Sequence, residues 1–213
     1  MLDINLLRKE YASKSLNIND LNPNPFEQFL AWFQQALDAQ VLEPNAMILA
    51  TASMQARPSS RTVLLKKMDQ KRLIFFTNYD SRKAQELKEN PFASVTFFWK
   101  ELERQVNIEG LVEKLSEEES SNYFMTRPRG SQLGAWASPQ SQIISSREIL
   151  EQEYQRLELS FEGKSIPLPS YWGGYALFPK RFEFWQGRPN RLHDRFQYTL
   201  QNDQMWQIDR LAP

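Results

Sequence analysis

The chain has 213 residues with 26 Lys plus Arg against 26 Asp plus Glu. It is long enough for one sizeable core and carries no global field suited to nucleic acid or an anionic membrane. No cysteine and only one histidine, His193, exclude disulfides and thiolate metal sites and argue against a zinc or non-haem iron centre, so redox chemistry would need an organic cofactor.

Residues 1–24 are polar and run into Asn22-Pro23-Asn24-Pro25, which reads as an N-terminal arm and stiff linker ahead of a single domain over 25–213. No signal-like N-terminus and no run of about 20 apolar residues is present, so a cytoplasmic location is expected. From Pro25 the residues Phe26, Phe29, Leu30, Phe33 and Leu37 follow helical spacing. The period then changes. Strands are predicted over 46–51, 61–68, 72–78, 93–99 and 105–115, all rich in Val, Ile, Phe and Thr. A short helix over 81–90, capped by Ser81 or Asp80, interrupts them. Two capping boxes follow, Ser116 with Glu119 and Ser145 with Glu148, each opening a helix. Beyond a loop over 166–174, three more strands are predicted up to Arg210.

Strands interrupted by helices without regular alternation predict an α+β protein on an antiparallel sheet or barrel. With no G-x-G-x-x-G and no Walker loop, any phosphate would be held by side chains. Three segments could do so. Arg61 to Lys67 puts cations at both ends of an apolar strand, and Arg82 and Lys83 sit at a helix N-terminus, where they contribute little to helix stability but would help bind an anion; Thr77 ends the strand between them. Tyr123 and Arg127 are four apart and would share a helix face, with Ser131 just beyond; a solvated helix end is the alternative. In the stretch 183–195, an extended backbone would place Arg191, His193 and Arg195 on one face, where guanidinium forks and an imidazole could hold an anion and move a proton. The alternative is a surface strand whose arginines pair with Glu183 and Asp194.

Taken in order, RKEY at 8–11, RTVLLK at 61–66, FTNYDSRKA at 76–84, LERQ at 102–105, RPRGSQLGAW at 127–136, PSYWGG at 169–174, EFWQG at 183–187, RLHDRF at 191–196 and IDRLAP at 208–213 span nearly the whole chain. The pattern resembles the pyridoxine (pyridoxamine) 5′-phosphate oxidases. The resemblance implies a split β-barrel, antiparallel and Greek-key-like with flanking helices, that forms a homodimer with FMN at the subunit interface. It implies FMN contacts from Arg61, Thr62, Val63, Leu64, Leu65, Lys66, Phe76, Thr77, Arg82, Lys83, Gln105, Gln140, Ser141, Trp185 and Arg195. The substrate phosphate would be met by Lys66, Tyr123, Arg127 and Ser131, and the pyridine ring by Arg191, Leu192 and His193, with Arg191 and His193 catalytic. Arg8, Lys9, Glu10 and Tyr11 match an arm that can cover the substrate. Phe76 stands where many relatives carry tyrosine, so any contact by that hydroxyl is lost.

The implied reaction is oxidation of pyridoxine 5′-phosphate or pyridoxamine 5′-phosphate by oxygen to pyridoxal 5′-phosphate, with hydrogen peroxide and, from the amine, ammonia as products. Cofactor and substrate each carry a phosphate, and a neutral chain would need two separate cationic pockets for them. Two other readings compete: a split-barrel flavin oxidoreductase with a different substrate, and a non-catalytic protein that binds flavin, haem or pyridoxal phosphate.

Overall fold

The computed structural model describes Glu10, Tyr11 and residues 14–213. Helix α1 (Pro25–Asp38) opens the domain, with Asn24 accepting from the Phe26 amide and Pro25 in the first turn. Its buried face carries Phe26, Phe29, Trp32 and Ala36, whereas Leu30 and Leu37, expected inside, are exposed. The reason is that the helix lies on an aromatic sheet face and meets it ring to ring. Phe29 to Phe97 is 4.9 Å, and Phe26 to Phe182 and Trp32 to Phe184 are both 5.2 Å.

The strands are β1 (Ala46–Ala52), β2 (Pro58–Leu64), β3 (Lys67–Met68), β4 (Leu73–Asn78), β5 (Phe92–Trp99), β6 (Arg104–Lys114), β7 (Trp172–Gln186), β8 (Asp194–Leu200) and β9 (Trp206–Leu211). All pair antiparallel, in the order β2-β1-β5-β6-β7-β4-β3. The ends of that path, β2 and β3, are consecutive in the chain and separated only by Leu65 and Lys66, so the sheet curls until its edges approach. The strand expected over 61–68 is therefore two strands. At the break, Leu65 donates its amide to Asn45 and Lys66 donates to Ile74.

Strand β7 joins the two parts of the sheet. Residues 172–177 pair with β4 and 181–186 with β8, while β6 runs along the other edge. The register shifts where Glu109 pairs with Arg181 and Gly110 with Pro179, which leaves Lys180 as the extra residue of a bulge on β7. A Cβ on Gly110 would lie 2.1 Å from the Phe178 carbonyl oxygen, so only glycine fits there. Helices α2 (Arg82–Glu89), α3 (Glu117–Thr126), α4 (Arg129–Ala137) and α5 (Glu148–Ser160) flank the sheet.

The Ser116 cap forms as expected, its Oγ accepting from the Glu119 amide. The Ser145 capping box does not: Arg147 occupies the α5 N-cap position without a side-chain cap. The arm is also less separate than its polarity implied, because Leu16 is buried in the main core and Tyr198 donates its hydroxyl to the Asn22 carbonyl at 2.8 Å. Among the described residues no helix is long and apolar enough to cross a membrane.

Candidate active site

The break between β2 and β3, the end of β4 and the corner between α3 and α4 surround a groove of about 540 Å³. Arg61, Thr62, Val63, Leu64, Lys66, Phe76, Thr77, Lys83 and Gln140 line it together with Tyr123, Arg127 and Ser131. The two separate pockets expected for two phosphates are thus one continuous groove, because curling the sheet brings the β2 edge beside the α3–α4 corner. Among the described residues no carboxylate lines it, so Arg61, Lys66, Lys83 and Arg127 give it a positive wall, with Arg61 backed by Glu86 at 3.5 Å outside the lining.

Lys83 is buried at the first turn of α2, where its ammonium donates to Thr77 Oγ1 at 3.0 Å, Ser81 Oγ at 3.3 Å and Gln140 Oε1 at 2.9 Å. All three acceptors are neutral. Burial, and then the Arg61 charge, push its pKa down to about 8. Gln140 Oε1 also accepts from Thr77 Oγ1 at 2.9 Å, which ties the loop after α4 to the end of β4.

Tyr123 and Arg127 do not share a helix. Helix α3 stops at Thr126, Arg127 is extended, and Pro128 starts α4. The turn still directs both into the groove and carries Ser131 there on α4. Arg127 lies over the Trp172 ring at 4.6 Å, burial lowers its pKa, and its Nη1 is buried with no hydrogen-bond partner among the described residues. Phe76 stacks on Tyr123 at 3.8 Å and Trp172 at 5.5 Å and forms part of the groove wall.

Arg82 is exposed and outside the groove lining; it donates Nε to Glu86 Oε1 at 2.9 Å. Glu86 is buried and also accepts from Thr51 Oγ1 at 2.5 Å, Ser59 Oγ at 2.6 Å and Arg61 Nη2 at 3.5 Å. Burial alone would raise its pKa, but the Ser59, Thr51 and Arg82 hydrogen bonds outweigh that and hold it at about 2. Leu65 is buried in the core, and Ser141 is exposed with φ of 71°.

A second cluster lies on β6, β7 and β8. Gln105 is opposite Trp185 and Trp185 opposite Arg195, so the three form one cross-strand row. Arg195 donates Nε to buried Glu183 at 2.8 Å and Nη1 to the Ala212 carbonyl at 2.9 Å. His193 sits 4.6 Å from the Trp185 ring, and Tyr11 meets Trp185 edge-on at 5.7 Å and His193 at 6.0 Å. His193 Nδ1 accepts the Arg188 amide at 3.1 Å, which leaves the proton of the neutral ring on Nε2. Burial, and then Arg191, lower its pKa, favouring that neutral form.

The strand alternation expected for Arg191, His193 and Arg195 fails. Strand β7 ends at Gln186, and a 3-10 turn over Pro189–Arg191 intervenes, with Asn190 and Arg191 both left-handed at φ of 58° and 63°. Arg191 and Leu192 are exposed on this turn, and of the arginines only Arg195 lies on β8. The alternative pairing is partly realised: Arg195 meets Glu183, and Asp194 binds Arg188 at 3.4 Å and Arg210 at 2.9 Å. Glu10 is exposed, while Arg8 and Lys9 lie outside the described residues.

Among the described residues of one chain, none of this second cluster lines the groove. Sequence reasoning passed over Thr51, Ser59 and Glu86, which support groove residues, and gave no role to Trp172 of the PSYWGG segment, which lines the groove. Glu86, four after Arg82 on a helix, left a signal in the spacing.

The family model for pyridoxamine 5′-phosphate oxidase matches residues 33–161, and that for the pyridoxine 5′-phosphate oxidase C-terminal dimerisation region matches 172–213. The pyridoxine/pyridoxamine 5′-phosphate oxidase of Rippkaea orientalis is 58% identical over 212 residues, covering 100% of both chains. That of Aliarcobacter butzleri is 52% identical, again over 100% of both. Among solved structures, PhzG from Burkholderia lata, in complex with tetrahydrophenazine-1-carboxylic acid, is similar with a TM-score of 0.88 and 32% identity, over 95% of this chain and 100% of that one. A pyridoxamine 5′-phosphate oxidase-related FMN-binding protein from Nostoc punctiforme shares the fold, with a TM-score of 0.71 at 16% identity over 89% of this chain and 97% of that one. The chain therefore belongs to the pyridoxamine 5′-phosphate oxidase family, homodimeric oxidoreductases that hold FMN on a split β-barrel.

Proposed function

We propose that this enzyme oxidises pyridoxine 5′-phosphate and pyridoxamine 5′-phosphate to pyridoxal 5′-phosphate, with oxygen as the final acceptor. The observation that carries the reading is the groove itself, which among the described residues has four cations, no lining carboxylate, and a buried Arg127 nitrogen without a partner. Such a wall fits phosphate-bearing ligands, since a buried cationic donor left unpaired is costly until an anion arrives.

The side chains present fit FMN. Arg61, Lys66, Lys83, Thr77 and Gln140 offer its phosphate and polar edge donors and acceptors from Arg61 around to Gln140, with Arg82 at the outer margin. Thr62, Val63, Leu64 and Phe76 give this end of the groove its walls. Gln105, Trp185 and Arg195 form the row that completes the site from a second protomer, because within one chain they stand apart from the groove. Ser141 and Leu65 would contribute through the backbone. When bound, FMN would supply the two-electron acceptor for the substrate's C4′ carbon; oxygen would take up the electrons as hydrogen peroxide, and water would hydrolyse the imine from the amine substrate to release ammonia.

Arg127, Tyr123, Ser131 and Lys66 bind the substrate phosphate and fix the ring at a set distance, which is how remote binding contributes to rate. The neutral His193, with its proton on Nε2, donates to the ring hydroxyl and moves a proton there, while Arg191 offsets charge on the ring. Leu192 and the arm from Arg8 to Tyr11 cover the substrate and exclude water.

A second reading comes from the similarity to PhzG, whose structure holds a tricyclic carboxylic acid without phosphate. The test is hydrogen peroxide release by the FMN-loaded protein given pyridoxine 5′-phosphate, unphosphorylated pyridoxine or a reduced phenazine carboxylate. Turnover of the phosphate ester far above the other two is expected. Turnover of the phenazine alone would overturn the assignment.

A further inference from the structure

Glu86 is a carboxylate with 6% exposure on an eight-residue helix, a position that costs free energy unless the charge is paired and hydrogen-bonded. It takes hydrogen bonds from two directions. Oε1 accepts from Arg82 on its own helix, and Oε2 from Thr51 on β1 and Ser59 on β2. Those two hydroxyls also accept from Arg61: its Nη1 donates to Thr51 Oγ1 at 2.5 Å and its Nη2 to Ser59 Oγ, with a further donation from Nη1 to the Leu49 carbonyl at 3.3 Å.

Proton accounting fixes the direction of this network. Each hydroxyl has one proton, and the carboxylate can only accept, so both protons point at Glu86 and leave lone pairs for the guanidinium. The Arg61 fork is thereby locked by two relays that both depend on Glu86 staying an acceptor. Arg82 is held by the same carboxylate at its other oxygen.

We propose that Glu86 is a positioning residue for the cofactor phosphate, orienting Arg61 of β2 through the Thr51 and Ser59 hydroxyls and Arg82 of α2 by direct contact, the latter at the outer margin of the site. This rests on the FMN reading above. It makes a prediction opposite to simple electrostatics. By charge alone Glu86 opposes an anion, so its removal would tighten FMN binding; as the anchor of two arginines, its removal must loosen binding.

The experiment titrates the full-length protein, stripped of flavin, with FMN and follows quenching of flavin fluorescence. Glu86→Gln, which presents a donor where only an acceptor fits, is expected to raise the FMN Kd at least tenfold, with Glu86→Asp recovering part of the loss. At saturating FMN the KM for pyridoxine 5′-phosphate should stay at the wild-type value, because Tyr123 and Arg127 are not part of this network. In an Arg61→Ala, Arg82→Ala background, adding Glu86→Gln should change the Kd no further. Unchanged or tighter FMN binding by Glu86→Gln, or a full penalty persisting in the double-arginine background, would overturn the proposal while leaving the FMN reading intact. Failure of the wild-type chain to bind FMN would overturn both. Should Glu86→Gln not fold, Ser59→Ala keeps the carboxylate and removes one relay; a Kd raised several-fold supports the proposal, and a wild-type Kd overturns it.

Discussion

At the scale of single residues, chemistry is set by what each charge faces. Arg127 lies over Trp172 and, among the described residues, has a buried nitrogen without a partner, which suits the phosphate contact proposed for it. A charge-assisted hydrogen bond of this type is worth roughly 1.5–3 kcal/mol, so Arg127→Ala should raise the substrate KM by roughly 10- to 100-fold in steady-state assays. His193→Ala should instead lower kcat, by about 10²-fold or more if it is the proton-moving group, with FMN retained on a desalting column.

Lys83 makes a prediction in pH. Its pKa is depressed to about 8 in the folded protein, so the cost of burying the charge is present below that pH and is relieved as pH rises through 8 toward the ordinary lysine value. The uncharged amine no longer attracts phosphate. FMN affinity should therefore fall above about pH 8, by up to about tenfold per pH unit, and Lys83→Met should bind more weakly but without that fall. Fluorescence titrations from pH 7 to 10 read both. These residue types were legible in the sequence as cations beside turns. Their burial was not, because exposure depends on which elements cover them.

At the scale of elements, turns decide where the side chains go. Pro128 ends the reach of α3, so Tyr123 and Arg127 converge through a corner between two helices and not along one face. The extended reading of 183–195 failed for a similar reason: left-handed Asn190 and Arg191 build a turn that alternation cannot describe. Trp185 and Arg195 still end up opposite each other, since β7 and β8 pair on either side of that turn. Gly110 marks the bulge where β6 meets Phe178 and Pro179, and a methyl group there collides with backbone that cannot move cheaply. Gly110→Ala should cost about 1–3 kcal/mol, read as a lower urea midpoint with an unchanged slope.

At the scale of the whole molecule, the groove and the Trp185–His193 cluster are two regions that share no cavity among the described residues of one chain. If the groove of one protomer is completed by the Trp185 and His193 cluster of the other, a two-fold dimer has two such composite sites. Arg127→Ala and His193→Ala homodimers should then both be impaired, while a mixed dimer carries one intact site and one doubly defective site. Refolding the two variants together in equal amounts should restore activity to about a quarter of wild type, since about half of the dimers are mixed and each has half its sites. No recovery above the separate variants would place both residues in one protomer's site.

The sequence by itself determined the antiparallel α+β class, most strand positions, the Pro25 and Ser116 helix starts and the identity of the cationic residues, because periodicity, capping and charge are local properties written in adjacent residues. Tertiary structure alone decided the rest. It joined two supposed pockets into one groove by bringing the β2 edge beside the α3–α4 corner, buried Lys83 without an acid, and gathered Thr51, Ser59, Arg61, Arg82 and Glu86 from three elements. Those outcomes depend on closure of the sheet, a long-range event, and on proton accounting among atoms far apart in the chain, neither of which has a period to read.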